Sequence, residues 1–296
     1  PKWNGSPIYV YHEIVHNRHV VEDLRSRGAI FIEDIDAVPT GSVCIFSAHG
    51  VASLVVQQAD QRGLQAIDAT CPLVTKVHAQ AQRYHRKGYE LIIIGHAGHP
   101  EVEGTRGRVE GDVYVMCTVE EVNAFIPKDP DKLAYVTQTT LSVDDTRDVI
   151  EALKSKFPNI QGPDLQDICY ATQNRQNAAR ELSEKADLLL VVGAQNSSNS
   201  NRLREVGEQS GIPSYLIADA GDIQPEWVNG IKKIGVTAGA SAPETLVQGV
   251  IEYLKTLGVE DVSTMSGIEE NTTFRIPVTL LREQKRQQAK QANDPA

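Results

Sequence analysis

Five short apolar runs, each closing on a loop of small and polar residues, constrain this chain more than any other feature. They are Val43–Phe46, Leu91–Ile94, Leu133–Val136, Leu188–Val192 and Ile234–Val236, and a strand-like stretch, Pro7–Tyr11, precedes them. Unbroken apolar runs of this length suit strands buried on both faces of a parallel sheet. Amphipathic stretches lie between them. Val51, Leu54, Val55 and Ala59 recur at helical spacing, as do Leu246, Val247, Val250, Ile251 and Leu254. Pro72 suits the first position of a helix running to Gly88, and Ser241-Ala242-Pro243-Glu244 reads as a capping box. The alternation predicts an α/β fold.

In such folds, ligands bind beyond the carboxyl ends of the strands. The loops there are Ser47-Ala48-His49-Gly50, Gly95 to Glu101, Thr137-Gln138-Thr139-Thr140, Gly193 to Asn199 and Thr237 to Ser241. Polar side chains at all of these ends predict one shared site.

The pattern repeats. Asp68-Ala69-Thr70-Cys71 opens a helix, then comes a strand, then His99; Asp167-Ile168-Cys169 opens the same sequence of elements, ending at Ser197. Each cysteine stands 28 residues before its partner in the following loop. The loop around His16 plays the same part after Pro7–Tyr11, and 28 residues before it lies a position upstream of Pro1. A third cysteine is therefore expected before this chain, which opens on Pro rather than Met and looks truncated. Three pseudo-equivalent units facing a common centre agree with 296 residues, too many for one small core.

Composition excludes several classes. The apolar runs are far too short to span a bilayer, and no charged-then-apolar leader is visible, so a cytoplasmic protein without membrane contact is expected. A net charge of −10 with no basic stripe argues against nucleic acid. The one basic cluster, Arg282, Lys285, Arg286 and Lys290, reads as a solvated helix or frayed tail. Four cysteines in a chain of this size are not a disulfide framework.

Cys71 and Cys169 lie where a loop passes into a helix, a setting that favours thiolate. Their matched spacing makes them candidate ligands of zinc or an iron–sulfur cluster, beside the plainer possibility of buried thiols. Cys44, within a strand, and Cys117, after Val115-Met116, read as structural. Asn196-Ser197-Ser198-Asn199-Ser200-Asn201 can wrap a phosphate with side-chain and backbone N–H groups, or form an ordinary surface turn. His49 and His99 suit a phosphate pocket or a proton relay, while His12, His19, His78, His85 and His96 read as structural. Glu101, the carboxylate of the His99 loop, is a general acid only if its pKa is raised.

The segments His16-Asn17-Arg18, Ser47 to Gly50, Asp68 to Pro72, Gly95 to Gly104, Thr137 to Ser142, Asp167 to Thr172, Asn196 to Asn201 and Thr237 to Pro243 together resemble the LytB/IspH family of 4-hydroxy-3-methylbut-2-enyl diphosphate reductases. They run in order over nearly the whole chain up to Pro277. The resemblance implies a trefoil of three α/β domains with small, mostly parallel sheets around a central [4Fe–4S] cluster held by three cysteines. Cys71 and Cys169 match two of them, and the third has no counterpart here. It places His16, His49, His99, Ser197, Ser198, Asn199 and Ser241 around a diphosphate, Glu101 as the proton donor, and Thr139 as its hydroxyl partner beside the substrate alcohol. The implied reaction is reductive dehydroxylation to isopentenyl and dimethylallyl diphosphate, with electrons from ferredoxin or flavodoxin. The expected division is 1–70, 71–165 and 166–256, then a segment 257–296 returning to the first unit before fraying. Two rival expectations remain: a zinc-dependent hydrolase using Cys71, Cys169 and two histidines, and a truncated diphosphate-binding protein without activity.

Overall fold

The computed structural model describes residues 2, 3, 6–274, 276, 280 and 281. The basic cluster from Arg282 to Lys290 lies outside them, as does nearly half of the segment expected to return to the first unit.

The fold is α/β, with three small sheets. The first holds β1 (Lys2–Trp3), β2 (Ser6–Tyr11), β3 (Ala29–Ile32), β4 (Val43–Phe46) and β5 (Gln65–Asp68), with α1 (Arg18–Ser26) and α2 (Ser53–Gln61). Its central β2 pairs in parallel with β3 and β4, β5 pairs with β4, and only the short β1 is antiparallel. The second follows α3 (Pro72–Arg86) and contains β6 (Glu90–Ile94), α4 (Pro100–Arg106), β7 (Val113–Met116), α5 (Val119–Ala124), β8 (Leu133–Thr137) and α6 (Val143–Lys156). The third follows α7 (Tyr170–Ser183) and contains β9 (Leu188–Val192), α8 (Ser198–Gln209), β10 (Ser214–Ile217), α9 (Pro225–Val228), β11 (Ile234–Ala238) and α10 (Glu244–Thr256). In these two sheets every pairing is parallel, with β6 between β7 and β8, and β9 between β10 and β11.

The unbroken apolar runs have a direct cause. Ile92 and Ile94 of β6 pack with Val149, Leu153 and Phe157, whereas Leu91 and Ile93 pack with Val77, Ala81 and Val102. In β9, Leu188, Leu190 and Val192 meet Val250 and Leu254, while Leu189 and Val191 meet Ala179, Leu203 and Val206. Helices cover both faces, so the period-two alternation of a half-exposed strand is absent. Each such side chain contributes about 1.5–3 kcal/mol by leaving water.

The repeat is structural as well as numerical. Cys71 caps α3 and Cys169 caps α7 with nearly equal backbone angles, φ −54° and ψ 133° against φ −57° and ψ 132°. His99 then caps α4, and Ser197 caps α8. His16 stands one residue before its own cap, Asn17, whose side chain accepts from the Val20 N–H. That one-residue offset leaves the imidazole free of capping.

Two local expectations need correction. Leu54 is 62 % exposed, because α2 begins at Ser53 and Val51 reaches the core from the preceding loop. Ser241 does not cap α10: the cap is Pro243, without a side-chain bond, and Ser241 donates instead to the His16 carbonyl at 3.0 Å. With the helix starting at Glu244, Ser241 is two residues upstream of its cap and free to reach another loop. A reciprocal box forms at α5 between Thr118 and Glu121.

Candidate active site

The loops after β2, β4 and β6 bring three imidazoles together. His16 and His49 stack with ring centroids 4.1 Å apart, and His99 meets them edge-on at 5.5 and 5.9 Å. Nδ1 of His99 accepts from the Glu101 N–H at 3.2 Å, which leaves its proton on Nε2. Burial, followed by His16, His99 and His12, holds His49 down at about 3. Burial, then His16 and His96, lowers His99 to about 4. Both rings are therefore neutral near pH 7 in the free protein.

The third unit closes over this cluster. Asn196 donates to the Glu13 carboxylate at 2.9 Å and lies 3.4 Å from Nδ1 of His16. Ser198 donates to the Thr140 carbonyl and receives a long bond from Gln138. The Ser197 hydroxyl is occupied at the helix start, accepting from the backbone N–H and hydroxyl of Ser200. Nε2 of His16, Nδ1 of His49, the Ser47 hydroxyl and both amide atoms of Asn199 are buried without a partner. Unmet buried polar atoms are costly, and here they belong to loops that already converge. Such a set fits an anion with many acceptor oxygens.

Beside the histidines, Glu101 is 2 % exposed. It accepts from the Thr139 N–H at 2.7 Å and from the Thr139 hydroxyl at 3.0 Å. Burial outweighs those two bonds and, helped by Asp167, raises the carboxyl to about 7. Its charge in turn reaches Cys71, as does that of Cys169. The two cysteines, 98 residues apart in sequence, thus share one electrostatic neighbourhood with Glu101. Matching backbone bonds hold them: Cys71 N–H donates to Ala48 and Cys169 N–H to Thr139, each at a strand-end loop. Neither thiol makes a regular side-chain cap, although the Leu73 and Val74 N–H groups at the start of α3 face the Cys71 sulfur and work against the effect of burial.

These two free thiols, each at a helix start, have the chemistry of metal ligands. Burial raises the Cys71 thiol, so metal binding displaces a proton there. Among the described residues no group of three or more His, Cys, Asp and Glu is placed to hold a metal ion by itself. The zinc-hydrolase expectation, which needs two histidines beside the cysteines, finds no such set among them. Cys44 is fully buried in the first core, and Cys117 lies beside Glu121, whose carboxylate caps its N–H. Of the other histidines, His12 pairs with Glu33, His19 with Asp219, and His96 with Arg202, while His78 is buried beneath Gly50.

Sequence reasoning passed over three residues that the structure builds into the site. Gln138 bridges β8 to the third unit, donating to Thr140 and Ser198 and accepting from the His96 N–H. Asp167 has no exposed side-chain area and lies 3.4 Å from the Lys76 ammonium of α3. Glu13 links His16 to Asn196. Gln138 and Asp167 lay inside motifs already singled out, and a buried acid two residues before a candidate ligand was a usable signal. Glu13 carried none, since its partner is 183 residues away.

A family model described as LytB protein matches residues 2–255. The chain is 60% identical over 277 residues to the 4-hydroxy-3-methylbut-2-enyl diphosphate reductase of Burkholderia pseudomallei, covering 94% of this chain and 88% of that one. It is 58% identical to the enzyme of the same name from Zymomonas mobilis, over 93% and 81% of the two chains. The solved structure of the E-1-hydroxy-2-methyl-but-2-enyl-4-diphosphate reductase from Plasmodium falciparum superposes with a TM-score of 0.90 at 37% identity, over 95% and 89%. A second solved structure, of the (E)-4-hydroxy-3-methyl-but-2-enyl diphosphate reductase described as the terminal enzyme of the non-mevalonate pathway, gives a TM-score of 0.59 at 29% identity, over 84% and 88%.

Proposed function

The chain belongs to the LytB protein family, and from that premise we propose how its residues carry out the family's reaction. It is a 4-hydroxy-3-methylbut-2-enyl diphosphate reductase, an oxidoreductase of the last step of the non-mevalonate isoprenoid pathway. The observation that carries the site assignment is the buried Glu101 carboxyl, raised to about 7 and clasped by Thr139 beside Cys71.

The diphosphate occupies the pocket of His16, His49, His99, Ser197, Ser198, Asn199 and Ser241. The unpartnered atoms of His16, His49 and Asn199 support that placement. Ser241 contributes chiefly by tying down the His16 loop through its carbonyl. The allylic alcohol then faces Glu101 and Thr139. With its pKa near neutrality, Glu101 holds a proton at working pH and can pass it to the leaving hydroxyl. Thr139 fixes the carboxyl orientation with two bonds and can share its hydroxyl with the substrate oxygen.

Cys71 and Cys169 are the residues of this chain that would hold an iron–sulfur cluster, of the [4Fe–4S] type, which would supply electrons and Lewis acidity. The third thiolate implied by the family has no counterpart in residues 1–296, since Cys44 is core and Cys117 lies by α5. Two electrons and two protons convert the substrate to isopentenyl or dimethylallyl diphosphate plus water. A small donor of the ferredoxin or flavodoxin class delivers the electrons. The thiolate chemistry assigned to Cys71 and Cys169 needs reducing conditions, which supports a cytoplasmic setting; no helix among the described residues is long and apolar enough to cross a membrane. We place the unit boundaries near residues 70 and 165, between the sheets, and near 256, at the end of α10.

The test is anaerobic turnover with a chemical reductant, scoring both five-carbon diphosphates. Glu101→Gln should bind substrate and barely reduce it. Turnover close to that of the parent removes Glu101 from the mechanism.

A further inference from the structure

A carboxylate sits at the edge of the anion pocket. Glu13 lies in the loop after β2, three residues before His16, and its Oε2 is 3.3 Å from Nδ1 of that ring. The same oxygen accepts from the Asn196 amide at 2.9 Å. Asn196 belongs to the loop after β9, so Glu13 fastens the first unit to the third at the His16 ring. An acid this close to a diphosphate repels it unless its charge is spent elsewhere.

The geometry shows where it is spent. Glu13 touches His16 on the Nδ1 side, whereas Nε2 is buried and has no partner. We propose that Glu13 is a positioning residue for His16: it holds Nδ1–H, fixes the ring between the two loops, and lets Nε2 donate to the diphosphate. The inference rests on the assignment of this pocket to a diphosphate.

Two proton arrangements compete at the ring. Nδ1 can donate to Glu13, or it can accept from Asn196, which lies 3.4 Å away. An anionic acceptor favours the first, because a charge-assisted hydrogen bond is stronger than a neutral one. Nε2 then faces the ligand as a bare lone pair until it takes a proton, and the ring that binds diphosphate is an imidazolium. Carboxylate support for an imidazolium in this arrangement is a general device.

The groups facing His16 agree on the need for Glu13. His49 stacks on the ring, His99 meets its edge, and His12 stands near His49. None of these rings carries a negative charge, and Glu13 is the one anion in hydrogen-bond reach of His16 among the described residues. Glu13 is itself partly exposed, with 42% of its side chain open to solvent. Its effect is therefore moderated by water but not removed.

The experiment uses inorganic diphosphate as the probe, titrated into this chain by calorimetry in buffers of different ionisation enthalpy. Side-chain ¹⁵N spectra of His16 accompany it. In the parent complex both His16 nitrogens should carry protons. Glu13→Gln, which keeps the shape and the Asn196 contact, should weaken binding about tenfold, the worth of one charge-assisted contact. It should also take up fewer protons on binding. Glu13→Asp, which keeps the charge but draws it back, should fall between the two. A parent complex whose His16 is neutral overturns the proposal, and that spectrum is read without any variant. Equal affinity and equal proton uptake in Glu13→Gln overturn it too, while leaving the pocket assignment intact. A parent that binds no diphosphate removes the pocket assignment, and this inference with it.

Discussion

Thr139 donates twice to Glu101, from its backbone N–H at 2.7 Å and its hydroxyl at 3.0 Å, and still the carboxyl is raised to about 7. Two bonds to a carboxylate ordinarily lower its pKa. Here removal from water is the larger effect, with Asp167 adding to it. The pair thus holds a protonated acid in a fixed orientation, which is what a proton donor to a leaving hydroxyl requires.

The raised pKa has a consequence for stability. Between the unfolded value of 4.5 and about 7, the folded chain binds a proton that the unfolded chain has lost. Stability from this group is therefore greatest below pH 4.5 and is lost as pH rises toward 7 and above. Glu101→Gln removes that penalty. At pH 8 the variant should be more stable than the parent by on the order of 2 kcal/mol, and at pH 4.5 the two should agree. Urea midpoints at both pH values decide this; a gap that does not change with pH refutes it.

A polyanion favours protonation of the imidazoles around it. His49 and His99, lowered to about 3 and about 4, are uncharged at pH 7 until diphosphate offsets the cost of charging them. Diphosphate binding should take up protons and weaken as pH rises from 6 to 8, by about tenfold per pH unit for each proton taken up on binding. Calorimetry in two buffers reads the proton count directly. An affinity flat across that range means that the imidazoles bind without changing charge.

Cys71→Ala and Cys169→Ala should each lower the iron retained after anaerobic reconstitution with iron and sulfide. Cys44→Ala should leave iron content unaltered and cost about 1 kcal/mol through loss of packing in the first core. Cys117→Ala should also leave iron unaltered. Loss of iron from the Cys117 variant reassigns the ligands.

Gly50 carries the left-handed turn after His49, with φ +80°. A Cβ there meets the His78 ring at 2.5 Å, and Gly104 of α4 packs against the Gly50 carbonyl. Gly50→Ala should cost about 1–3 kcal/mol by denaturant unfolding, from strain and overpacking together. It should also weaken diphosphate binding, because the His49 loop must shift. Full stability in this variant means the turn relaxes without cost.

The α/β class, the long apolar strands and the place of the site were legible because each is written in local order. A strand covered on both faces reads as an unbroken apolar run, and β4 and β9 match their sequence-based bounds. Strands β5 and β10 were not, since Gln65–Asp68 and Ser214–Ile217 mix polar with apolar residues over four positions, and the apolar run Ala29–Ile32 of β3 is partly exposed and was not singled out. The 28-residue spacing located Cys71, His99, Cys169 and Ser197, because each repeat lays the same helix and strand between cap and cap.

What the sequence could not decide is whatever joins one strand-end loop to another. The two hydrogen bonds from Thr139 to Glu101 within the second unit, and between units the Ser241 hydroxyl on the His16 carbonyl and the Glu13 carboxylate between His16 and Asn196, link residues 38, 225 and 183 positions apart. Capping and periodicity act within a few residues along the chain, so they leave traces in the order of amino acids. Desolvation and hydrogen bonding between loops depend on distances in space, and those exist only once the three sheets have packed. The sequence alone therefore determined which side chains stand at the strand ends; only the tertiary structure decided which of them share protons.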